Sequence, residues 1–148
     1  MKPDVDQILG LSAQQLMTQI APQLPAGYSQ STAGLLGIML GFCAQEFDRA
    51  AEIRVAENRD LRELFSELAP LISDAPLKAK LKAAALSADP SLKISDLNTA
   101  NCDLRRLLIA LQSCVEDIAG DAARAAERRI WGILLASAER RLLKLPGT

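Results

Sequence analysis

The chain has 148 residues, 49% apolar and 24% charged, which is the balance of a globular protein rather than a disordered one. Its net charge of −1, with no strongly basic half, gives no electrostatic basis for binding nucleic acid. There is no histidine, which removes His-dependent nucleophiles, imidazole-held metals and haem, so neither metal nor cofactor is expected.

In chain order, Asp4 to Ala21 is expected to be helical, in one piece or two. Ser12-Ala13-Gln14-Gln15 has the form of a capping box, and Gly10 could close a short turn before it. Pro22 and Pro25 stop this segment, and a second helix is expected from about Thr32 to Ala69, where no proline intervenes. Its stretch 33–44 is apolar nearly all round but too short to span a bilayer, which needs about 20 residues. It is therefore either central to a core or covered by another subunit. Gly37 and Gly41 fall on one side of it and mark a close helix approach, here assigned to a homodimer interface. Beyond it, Phe47, Ala51, Leu61, Leu64, Phe65, Leu68 and Ile72 are expected to face inward.

A short helix from about Pro76 to Ser87 follows, capped by Ser73-Asp74, with Leu77, Leu81, Ala84 and Ala85 inside. The next helix, Ser95 to Ala119, carries the clearest pattern. Leu97, Asn101, Leu104, Leu108, Leu111, Val115 and Ile118 recur at steps of three and four and lay one stripe along it. Ser95 suits its N-cap and Gly120 its end. The last helix is expected from Gly120-Asp121 to about Lys144, with Ala126, Ile130, Leu134, Ala138 and Leu142 in a row, before Pro146-Gly147. No segment alternates with period two. The expected fold is all-α: an antiparallel helical bundle of four main helices plus one short helix, as a single domain over residues 1–148.

Cys43, Cys102 and Cys114 form no C-x-x-C pair and read as free thiols. No apolar run follows Met1-Lys2, so no signal peptide is expected and the cytoplasm is the expected location. Glu63/Glu67 and the Glu116, Asp117, Asp121 group lie on solvated faces, none of them on an apolar stripe. Arg128-Arg129 beside Trp131 is a basic concentration interrupted by Glu127. Nothing here assembles an acid, base and nucleophile, so no enzyme is expected.

One motif recurs. Asn58-x-Asp60-Leu61-Arg62-x-Leu64 matches Asn101-x-Asp103-Leu104-Arg105-x-Leu107. Counting heptads places both asparagines on apolar stripes, where a buried amide needs a hydrogen-bond partner. Parallel second and fourth helices would let the amides meet and fix register. Alternatively, Asn58, Arg62, Asn101 and Arg105 would form a polar niche for an amphipathic anion with its tail in the core. The function expected first is non-catalytic protein–protein interaction, with self-association as a dimer and no nucleic acid or membrane partner. The alternative is a small-molecule binding module with an apolar inter-helix cavity.

Overall fold

Proline placement and apolar periodicity divide the chain into five α-helices in this computed structural model: α1 (Val5–Gln15), α2 (Tyr28–Leu68), α3 (Ala75–Ala85), α4 (Ile94–Glu116) and α5 (Asp121–Arg140). The structure describes residues 4–145; Met1-Lys2 and Pro146-Gly147 lie outside the described residues. The fold is all-α, with no strand among the described residues, and no helix is long and apolar enough to cross a membrane. The first helix runs straight through Gly10 and Ser12 and passes into a π-helical turn, Leu16–Ile20. A 3-10 turn follows over Ala21–Gln23, where Pro22 has no amide hydrogen to continue the helix. Gly27 adopts a φ of 144° in the turn before α2, a conformation that L side chains rarely take. Lys93 rather than Ser95 caps α4. The start of that helix is instead braced by Ser91, whose hydroxyl accepts from the Lys93 amide (3.0 Å) and donates to Asp96 (2.6 Å).

Two compact units form. Of the described residues, one unit comprises 4–50 with 142–145 and the other Ala51–Arg141, and α2 contributes residues to each.

In the first unit Ala13, Ala21, Ala33, Gly37 and Gly41 are buried. A Cβ on Gly37 would collide with the Met17 side chain and lie 3.2 Å from the Ala13 carbonyl oxygen. Glycine is used there so that the turn after α1 can lie against α2. The C-terminal stretch is clipped to α2 by an amide pair: Gln45 Nε2 donates to the Lys144 carbonyl (2.7 Å) and the Lys144 amide donates to Gln45 Oε1 (2.9 Å). Successive residues turn about 100° around a helix, which puts Leu35 and Met39 on the side of α2 away from Ala33, Gly37 and Gly41, and Leu36, Cys43 and Phe47 on its flank. All five are exposed, Phe47 at 57%. Phe47 therefore does not face inward: the buried row runs Ala50, Ile53, Glu57, Leu61, Leu64, Leu68, and Phe47 lies off it.

The second unit is built on an apolar core from the later turns of α2 (Leu61, Leu64, Phe65, Leu68), α3 (Leu81), α4 (Leu104, Leu108, Leu111, Val115) and α5 (Ala123, Ala126, Ile130, Ile133). Contacts of Arg54 with Asn98 (2.5 Å) and of Asn58 with Asn101 (2.9 Å) show α2 and α4 running in the same sense. Those of Glu57 with Arg141 and of Glu67 with Arg129 show α5 running against α2. On α5 the buried row is Ala123, Ala126, Ile130, Ile133, Ser137, while Ala138 and Leu142 are exposed. Each four-residue step overshoots a turn by about 40°, so an unbroken i+4 row drifts off the core, whereas mixed steps of three and four stay on it.

Candidate functional site

The polar centre of the second unit sits where hydrophilic residues interrupt the buried rows of α2 and α4 and end that of α5: Glu57 and Asn58, Asn101, and Ser137, all buried. The two asparagines meet, with Asn101 Nδ2 donating to Asn58 Oδ1 at 2.9 Å. Asn58 Nδ2 in turn donates to Asp89 (2.9 Å) and the Leu97 carbonyl (3.4 Å). Arg62 reaches the same Asp89 oxygen at 2.6 Å and donates to the Ser87 hydroxyl at 3.1 Å. At the other end Arg105 Nε donates to Asn101 Oδ1 (2.9 Å), and its Nη2 donates to Ser137 (2.8 Å) and Glu57 (3.2 Å). Asn58, Arg62, Asn101 and Arg105 are thus joined in one network, with the two arginines at opposite ends of it.

Two acidic residues outside the repeated motif complete the network. Asp89, in the α3–α4 linker, forms an ion pair with Arg62 in which each side chain is under 15% exposed. Glu57 is 2% exposed and lies on the apolar row of α2, unlike the carboxylates assigned to solvated faces. It receives a two-pronged grip from Arg141, Nε to Oε1 and Nη2 to Oε2, both 2.7 Å. The Ser137 hydroxyl (2.7 Å) and Asn101 Nδ2 (3.2 Å) also donate to it. Burial pushes the Glu57 pKa up, but the hydrogen bonds from Arg141 and Ser137, the charge of Arg141 and the bond from Arg105 outweigh it, holding the group at about 2. A carboxylate so placed stays ionised near neutrality, so it serves as a fixed counter-charge and not as a general acid or base.

The gap left among Glu57, Leu61, Arg105, Leu108, Ile133 and Ser137 is only about 10 Å³, no more than one water needs. An anion's apolar tail therefore has no room behind this network. On its outer side a shallow hollow is lined by Asn98, Cys102, Arg105, Leu134 and Arg141.

A larger concavity lies elsewhere in this unit, between α3 and α4, with a volume of about 910 Å³. It is lined by apolar residues, among them Leu77, Leu104, Leu107 and Ala84, and by charged ones, among them Lys80 and Arg106. Among the described residues no group of three His, Cys, Asp or Glu side chains is placed to hold a metal ion. Trp131 is 62% exposed, and the neighbouring Arg129 is held by Glu67 at 2.9 Å. Of the glycines assigned to an interface, Gly37 makes its close approach to Met17 and Ala13 of its own chain.

Sequence reasoning missed Glu57 and Ser137 although both carry a positional signal. Glu57 stands four residues from Ile53 and from Leu61, and Ser137 stands four from Ile133. Asp89 and Arg141 carry none, because only the tertiary fold brings a linker residue and the residue after α5 to this network.

No family model, curated protein or solved structure matches the chain.

Proposed function

We propose that this protein is non-catalytic and acts by protein–protein contact, with a second copy of itself as its first partner. The observation that carries the reading is the surface of the first unit. Residues 7–45 contain no Asp, Glu, Lys or Arg, yet Ile8, Leu11, Ile20, Leu35, Leu36 and Met39 are all at least 43% exposed there. An uncharged apolar surface of that density is a typical association site. The ionised, fully engaged Glu57 supports a structural role for the polar network. The unpaired cysteines fit a reducing compartment, and we place the protein in the cytoplasm on that ground.

Sedimentation velocity over a range of micromolar concentrations tests the reading. Self-association with a concentration-dependent weight average is expected, and Phe47→Glu should shift it toward monomer without loss of helical signal. A monomer at every concentration refutes it.

The α3–α4 groove favours a second reading, a binding module for an apolar small molecule, since its volume suits such a ligand. Native mass spectrometry of the freshly purified protein would show a retained ligand.

A further inference from the structure

Resting on the self-association just described, we propose that the second copy docks on the exposed side of α2 as an antiparallel helix pair. The two-fold axis passes at the level of residue 41, setting Leu35 against the partner's Phe47 and Met39 against the partner's Cys43.

The exposed row Leu35, Met39, Cys43, Phe47 has equal spacing and is therefore symmetric about residue 41. A two-fold interface requires that symmetry, because residue i meets j wherever j meets i. With the axis at this level every pair sums to 82, large side chains fall at the ends, and the smaller Cys43 meets the long, adaptable Met39 in the middle. Leu36, 49% exposed, fills the flank.

Charge decides both the occupant and the direction. A two-fold dimer brings surfaces against their own copies, which costs nothing electrostatically only where they carry no charge. From Tyr28 to Gln45 α2 carries none, and then Glu46, Asp48, Arg49 and Glu52 follow. Parallel pairing would set Glu46 and Asp48 beside their own counterparts. Antiparallel pairing sets them beside the uncharged first turns of the partner's α2 and opposes the helix dipoles. Half-exposed, Leu35, Leu36, Met39 and Phe47 offer on the order of 400 Å² per copy, about half of a standard interface, so the dimer should dissociate in the micromolar range.

Disulfide trapping tests the register in the full-length chain with Cys102→Ser and Cys114→Ser. Met39→Cys, oxidised at a concentration where sedimentation shows dimer, should cross-link at least about tenfold faster than the parent retaining Cys43 alone, since a disulfide needs Cα atoms within about 7 Å. Peptide mapping should join residue 39 to residue 43 of the other copy. Leu35→Cys with Phe47→Cys, in a Cys43→Ser background, should join 35 to 47. Matching circular dichroism melts establish that the variants fold. A dimer that forms but yields neither bond, or joins other pairs, overturns this geometry while leaving self-association intact. A monomer throughout overturns both.

Discussion

Glu57→Gln keeps the shape of the side chain, removes its charge, and so isolates what the buried carboxylate does. Its folded pKa of about 2 against an ordinary 4.5 corresponds to about 3 kcal/mol of stability at neutral pH. The loss should stay at that scale because Arg105 and Arg141 are 36% and 41% exposed and can hydrate once their counter-charge is gone. A wholly buried pair would cost more when broken. Because the folded pKa is the depressed one, the contribution is complete above 4.5, where the unfolded chain is also ionised, and disappears as the pH falls toward about 2. Urea denaturation of both proteins at pH 7, 4 and 2.5 measures this. The wild type should exceed the variant by about 3 kcal/mol at pH 7 and by little at pH 2.5. A gap of equal size at both ends, or none at pH 7, would refute a charged, hydrogen-bonded Glu57.

Leu104→Ala and Leu111→Ala, at positions 5% and 0% exposed, should each cost about 2–5 kcal/mol in the same denaturation assay; unchanged midpoints in both would show that the α4 stripe does not face the core. Gly37→Ala should destabilise the chain through the collision with Met17, whereas Gly10→Ala, in a helix with nothing within 4 Å, should be neutral or gain up to about 1 kcal/mol. Thermal melts of the two variants compare them directly, and equal melting temperatures would count against the close approach. Gly27 is a poor control for that comparison, since its φ of 144° strains any replacement.

How much of this was legible in the chain depended on whether position or residue type was followed. On α4 position alone sufficed: Leu97, Asn101, Leu104, Leu108, Leu111 and Val115, taken as one stripe irrespective of polarity, are all buried. That same counting placed Asn58 opposite Asn101. On α2, residue type misled. Glu57 drew no notice because glutamate is usually a surface group, although its neighbours at four residues on either side are Ile53 and Leu61, both 5% exposed or less. Phe47 looked like a core group because phenylalanine usually is one. The apolar run 33–44 posed a choice between core and subunit contact, and the helix divides it: its glycine side is covered within the chain, and its Leu36–Met39 side is exposed. What no pattern could supply is the convergence of Asp89 and Arg141 on the network, which needs the bundle already folded.

The absence of Asp, Glu, Lys and Arg between residues 7 and 45 separates the chain into parts with different sensitivities to solvent. That stretch carries no carboxylate, and salt has no charges to screen there. The Leu35, Leu36 and Met39 part of the proposed surface should therefore be indifferent to ionic strength, whereas the Phe47 end, flanked by Glu46 and Asp48, is not insulated from it. The Glu57 network, in contrast, is held by ions and is lost as protons arrive. Acidification then becomes a way of loosening the second unit through the Glu57 network, while the uncharged stretch of the first offers protons nothing comparable to act on.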